Sequence, residues 1–149
     1  MSLTTDVMVL GMTPLFKEFG QEELRLIAFG ARKRPFRESE VVHHEGRSAE
    51  GAAVVAEGTL RVETEAGDLG RAGPYSLLDE GALLVRRPHT YTATAESDGA
   101  LIIIDRALMR RMIEEFPNVG ERMKARIAER LARIAERAEL PLKRLAETL

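Results

Sequence analysis

Residues 73–95 read GPYSLLDEGALLVRRPHTYTATA, a segment that mixes turn, helical and strand signals within a short span. Gly73-Pro74 enforces a turn. The next part, 77–84 (LLDEGALL), is too short for an ordinary helix and suits one or two turns. Arg86-Arg87-Pro88-His89 follows as a loop, and 90–95 (TYTATA) is a β-branched and aromatic run that reads as a strand. The first turn of a short helix presents backbone N–H groups without intrahelical partners, which suits an anion. Basic side chains close behind strengthen that reading, while Glu80 suits sugar hydroxyls better than a phosphate. Amide donors, one carboxylate and cations in one segment point to a phosphorylated sugar or a nucleotide.

These residues resemble the phosphate-binding cassette of the cyclic nucleotide-binding domain, the family of catabolite activator protein and the regulatory subunit of protein kinase A. Leu78-Asp79-Glu80-Gly81-Ala82-Leu83-Leu84 lies on the first half of the cassette and Pro88-His89-Thr90-Tyr91-Thr92 on the second. The resemblance implies that Glu80 holds the ribose hydroxyl. It also implies that the amides of Ala82 and Leu83 face the cyclic phosphate and that the Thr92 hydroxyl lies near it. Two positions depart from the pattern: Asp79 stands at the family's glycine and His89 at its phosphate-binding arginine. Tyr75 also sits where related chains often have glycine. If φ at residue 79 is positive, Asp tolerates it better than most residues. Arg86 and Arg87 are the loop cations that could stand in for the arginine. The expected ligand-binding set is therefore Leu78, Asp79, Glu80, Gly81, Ala82, Leu83, Arg86, Arg87, His89, Thr90 and Thr92. The residues also allow a plain structural role, with Leu77, Leu78, Leu83 and Leu84 closing a roll and Glu80 satisfying backbone donors.

The rest of the chain bounds this reading. Its 149 residues suit one domain, 1–149, with a real core. Hydrophobic residues at 44% and charged residues at 31% argue against disorder. A formal net charge of −2 gives no global field favouring nucleic acid or an anionic membrane. The absence of cysteine excludes disulfides and thiolate metal sites and fits a cytoplasmic location. No apolar run approaches a membrane span, and the N-terminus lacks a signal-peptide layout.

Around the cassette the periodicity changes twice. Thr13-Pro14 opens a helical lead-in over 13–31, with Leu15, Phe16 and Phe19 on a short apolar face read as core packing. A second helix follows over 21–29, with Leu24, Ile27 and Ala28 inward and Gly30 at its end. Over 32–105 the pattern becomes strand-like: 34–37, 41–44, 52–56, 59–64, 90–96 and 100–105, with a hairpin tip at 65–68. The resemblance puts turn glycines of the family's roll at Gly46 and Gly58. His43 and His44 point to opposite faces of a strand and cannot chelate one ion together, so no metal site is expected. Residues 106–117 form an amphipathic helix ended by Pro117, and a long helix begins with Asn118 as N-cap. Its stripe of Met123, Ile127, Leu131 and Ile134 runs beside a stripe of Ala125, Ala128, Ala132 and Ala135. One stripe is expected to dock on the roll and the other to meet a partner's helix. Pro141 breaks this helix and leaves 142–149 as a short tail.

The expected architecture is mainly β with flanking helices: a jelly-roll-like β-roll (a double-stranded β-helix) at 32–105, N-terminal helices, and C-terminal helices over 106–149. Two functions fit it. The first is a regulatory domain that binds cyclic AMP or cyclic GMP, needs no other cofactor and moves its C-terminal helix. The second is a roll that binds no nucleotide and serves as an interaction module, forming a homodimer through 123–138. Neither reading includes catalysis, because no nucleophile–base pair occurs at a recognisable spacing. DNA binding by the chain alone is not expected, since the family's winged helix-turn-helix would need more residues after the long helix. The arginines and lysine of that helix are interleaved with Glu121, Glu129, Glu136 and Glu139, which reads as a solvated face.

Overall fold

The computed structural model describes residues 2–17 and 19–137, with side chains as far as Arg133. Helix α1 (Leu3–Gly11), a 3₁₀ turn at Pro14–Phe16 and α2 (Gln21–Gly30) lead into the strands. These are β1 (Arg32–Phe36), β2 (Val41–His43), β3 (Ser48–Ala49), β4 (Gly51–Glu57), β5 (Leu60–Thr64) and β6 (Gly67–Ala72). They continue as β7 (Leu77–Leu78), β8 (Arg87–Pro88), β9 (Thr92–Ala95) and β10 (Gly99–Asp105). A second 3₁₀ turn, Glu80–Leu83, lies between β7 and β8, and α3 (Arg106–Glu115) and α4 (Pro117–Arg137) follow the last strand. One sheet has the order β1-β10-β4-β7, the other β2-β9-β5-β6, and β3 pairs with β8. Every pairing is antiparallel.

The layering follows from alternation along β4 and β10. Successive side chains on a strand point to opposite faces. Ala52, Val54, Ala56, Ile102 and Ile104 therefore join an outer core with Leu10, Phe16, Ile27, Met109 and Met123 of the helices. Ala53, Val55 and Leu101 face the other way, into an inner core with Phe36, Leu60, Ala93 and Ala95. Both faces are covered, which is why β4 and β10 read as almost unbroken apolar runs. The inner core is rich in alanine, and such small side chains leave room between the sheets. A cavity of about 300 Å³ lies beside it, walled by Val42, Ala53, Leu101 and Ile103 and open to solvent past Arg32 and Glu50.

The β-roll with N-terminal helices and a long C-terminal helix is as expected, and several details differ. Helix α1 carried no expectation; its Thr- and Val-rich sequence has weak intrinsic propensity. It forms because Ser2 caps it through the Thr5 amide and Val7, Val9 and Leu10 are buried. Thr13 does not cap the next turn; its hydroxyl donates to Val9 O at 2.9 Å. Phe16 and Phe19 pack edge to face with centroids 5.6 Å apart, as core residues. The hairpin tip is tighter than 65–68, since Gly67 already belongs to β6. Residues 77–84 divide into β7 and a single 3₁₀ turn. Gly46 (φ 90°) and Gly58 (φ 85°) occupy left-handed turn conformations that suit glycine.

At the C-terminal side α3 ends at Glu115, and Pro117 starts α4 rather than only stopping α3. Proline fits a first helical position because its missing N–H would be unpaired there anyway. Asn118 consequently lies inside the first turn and is not the cap. Met123 and Ile127 are buried and Leu131 packs partly against the outer core, so the large-residue stripe is the docking face. Ala125, Ala128 and Ala132 are exposed. Glu129 and Arg133 form the expected pair at 2.9 Å. The stripe positions Ile134 and Ala135 lie beyond the described side chains; Ala138, Glu139, Pro141 and the tail 142–149 lie outside the described residues. No helix among the described residues is long and apolar enough to cross a membrane.

Candidate functional site

The cassette is held between the two cores. Leu78, at the end of β7, enters the inner core, and Leu83, at the end of the 3₁₀ turn, enters the outer one. Between them Asp79 takes φ 58° and ψ 39°, a left-handed conformation that Asp adopts more readily than most residues. Tyr75, the other glycine-type position, is also left-handed, with φ 73°. The Ala82 amide donates to Asp79 O at 2.9 Å, so in this conformation it closes the turn. Arg106, the first residue of α3, donates through Nη1 to Ala82 O at 3.0 Å and to Ala49 O at 2.8 Å. One guanidinium thus ties the cassette to the roll and to the first C-terminal helix.

Glu80 is buried and turns toward α4. Arg130 Nε donates to its Oε1 at 2.9 Å and lies 2.6 Å from Oε2. Met123 and Ile127 seat α4 on the outer core, and Arg130 follows at a spacing that brings it round to the same side of the helix. The residue that the family resemblance assigns to ribose is therefore an ion-pair partner of the C-terminal helix.

Asp79 and His89 meet on the cavity side, joined by a residue that sequence reasoning had set aside. Asp79 Oδ2 lies 2.9 Å from His89 Nδ1 and 3.9 Å from His43 Nε2. The two imidazoles stack with centroids 3.9 Å apart and planes 10° from parallel, and Tyr91 packs on His43 at 5.1 Å. The three polar side chains are only 8–14% exposed. Burial, and then the charge of His89, push the His43 imidazole down to about 4, with smaller effects of Arg34 and His44 and against the pull of Asp79. Burial and the Asp79 carboxylate likewise push the Tyr91 hydroxyl far above its ordinary value, against a backbone hydrogen bond with Asp79. His44 is exposed and apart, as the alternation argument requires. What that argument could not supply is the partner of His43, which arrives from the cassette. The local signal was the pair of departures, Asp79 and His89, occurring together.

The remaining expected residues are dispersed. Arg87 pairs with Ala49 in the β3–β8 ladder, and its guanidinium lies against Gly81. Arg86 and Thr90 are exposed. The Thr92 hydroxyl accepts from the Glu45 amide at 3.0 Å. The cavity wall beside Asp79 and His89 carries Arg32, Arg34 and Glu50. Arg32 pairs with Glu50, and Arg34 with Glu40 at 2.9 Å. Of the expected set, Asp79 and His89 thus meet at the cavity, and Glu80 sits at the contact with α4.

The sequence profile described as "Cyclic nucleotide-binding domain" matches residues 33–116. Among solved structures, a cyclic nucleotide-binding-like protein from Brucella abortus is 34% identical, with TM-score 0.65, over 73% of this chain and 97% of its own. The N-terminal domain of a transcriptional regulator from Streptomyces coelicolor is 25% identical, with TM-score 0.77, over 89% of this chain and 96% of its own. Catabolite activator protein of Thermus thermophilus, at 24% identity and TM-score 0.72, covers 85% of this chain and 62% of its own, and shows the shared fold. No curated protein matches. The profile spans more than half of the chain, and its range takes in the roll, the cassette and α3. The chain belongs to the cyclic nucleotide-binding domain family.

Proposed function

We propose that this chain is a non-enzymatic regulatory domain of the cytoplasm that binds cyclic AMP or cyclic GMP and passes occupancy to α4. The observation that carries this reading is the ion pair between Glu80 and Arg130. A ribose hydroxyl and a guanidinium are both donors seeking the same carboxylate oxygens. Nucleotide at Glu80 and the Arg130 contact therefore compete for that carboxylate. Because Met123 and Ile127 remain buried, the part of α4 released by a nucleotide would be the part beyond them. At the phosphate end, Asp79 engages His89 through Nδ1, so Nε2 of that ring can donate to a phosphate oxygen when the imidazole carries both protons. Arg86 is exposed and close in sequence, so it can add a second cation. The name of the Brucella relative, a cyclic nucleotide-binding-like protein, supports the same ligand class.

The exposed Ala125, Ala128 and Ala132 favour a companion role, in which α4 packs against α4 of a second copy. Small side chains let two helix backbones approach closely. The released end of the helix would then report to that partner.

Calorimetric titration with cyclic AMP and cyclic GMP tests the reading. Arg130→Ala should tighten binding about three- to tenfold, since it removes a competing charged hydrogen bond of roughly 1.5 kcal/mol at a part-exposed site. Glu80→Gln should weaken it. Absence of heat at millimolar nucleotide in both wild type and Arg130→Ala would end the sensor reading. Binding that Arg130→Ala leaves unchanged would detach the nucleotide from α4. Light scattering on the same samples reads the second copy, and a monomer with and without nucleotide would remove it.

A further inference from the structure

We propose that His43, Asp79 and His89 bind one first-row transition-metal dication, with Zn²⁺ the best fit. Three separate elements supply the donors: His43 from β2, Asp79 from the left-handed position before the 3₁₀ turn, and His89 from the segment after β8. One ligand atom from each lies within 4.8 Å of the others. In a tetrahedral site with bonds of about 2.0–2.1 Å, neighbouring ligand atoms are about 3.3 Å apart. The observed 2.9 Å and 3.9 Å from Asp79 Oδ2 to the two ring nitrogens bracket that spacing.

Several features single this cluster out from a chance meeting of polar groups. His43 Nε2 is buried, in a side chain only 9% exposed, and has no hydrogen-bond partner among the described residues. A buried polar atom left unpaired costs about 1–3 kcal/mol, and a metal bond would satisfy it. The carboxylate supplies one negative charge for the cation to offset. The cavity-wall arginines do not compete for it, since Arg32 and Arg34 are paired with Glu50 and Glu40.

Two imidazoles and one carboxylate are of borderline softness, which suits Zn²⁺ and its neighbours rather than the oxygen-seeking Ca²⁺ and Mg²⁺. Capture requires the two stacked rings to open, so that both lone pairs converge on one point. It also frees His89 Nδ1 from Asp79 Oδ2: in a neutral ring the proton between them moves to Nε2, and in an imidazolium it leaves for solvent. Three protein ligands leave a tetrahedral ion one further position for water or an anion. The site stands independently of the nucleotide reading, because it is assayed without nucleotide.

The experiment is titration of chelator-treated, dialysed protein with Co²⁺ followed by visible absorption, then displacement by Zn²⁺. The expected result is a single saturable equivalent with the intense bands of tetrahedral cobalt, removed by Zn²⁺. Asp79→Asn keeps a residue that tolerates the left-handed backbone and should lose more affinity than the ~10–100-fold typical of outer-sphere changes. His43→Gln and His89→Gln should behave alike, while His44→Gln, at the exposed neighbour, should bind as wild type does. Circular dichroism confirms that each variant is folded; if a histidine variant is not, Asp79→Asn alone carries the comparison. No saturable uptake by the wild type overturns the proposal. So does uptake that survives in Asp79→Asn, or uptake that only His44→Gln removes.

Discussion

His43 stays neutral because the protein interior and its neighbours act on it unequally. Burial is the largest influence, and the charges of His89, Arg34 and His44 push the same way, while Asp79 pulls toward protonation. Unfolded, the imidazole titrates near ~6.5. Folded, it titrates at about 4. Between those values the unfolded chain holds more protons, so stability rises with pH across this window. The contribution is fully present above pH ~6.5 and lost as pH falls through the folded value, and it amounts to about 3 kcal/mol. Urea denaturation in a chelating buffer, repeated across that window, measures it. His43→Phe keeps a stacking ring and should flatten this component; an unchanged slope would mean that His43 is not held neutral. The sequence allowed a left-handed Asp79 but gave no view of His43. Backbone tolerance is a local property, whereas the company of His43 depends on where the cassette lands.

Helix α4 has two faces with different costs. Ile127 is 1% exposed and sits in the outer core, so Ile127→Ala should destabilise the protein by about 2–5 kcal/mol in chemical denaturation. The same substitution at an exposed face would cost little, and a loss below ~1 kcal/mol would show that α4 is not seated as described. The large-residue stripe of α4 was legible because a helical period repeats over many residues. Strands β3, β7 and β8 were not, because two residues cannot display an alternation. Their existence is imposed by partners: β3 and β8 pair with each other, and β7 with β4. The start of α4 differs from the expected Asn118 for a related reason. Proline marks a boundary in either direction, and only the path of the chain shows that it opens α4.

The roll as a whole was legible in the change from helical to strand periodicity and in the cassette itself. The candidate site was legible only in part. Glu80 and His89 were named, but Arg130, which occupies Glu80, and His43, which meets His89, come from remote segments. Neither carries a local signature that separates it from a solvated arginine or an edge histidine. The hollow beside the inner core has a further consequence. It opens to solvent past Arg32 and Glu50, so any occupant must displace water from it. Filling it also buries the apolar wall of Val42, Leu101 and Ile103, and burial of apolar surface carries a negative heat-capacity change. Calorimetry of any bound molecule, repeated at several temperatures, should therefore show a binding enthalpy that grows more negative on warming, which makes the roll a vessel whose filling is read in heat.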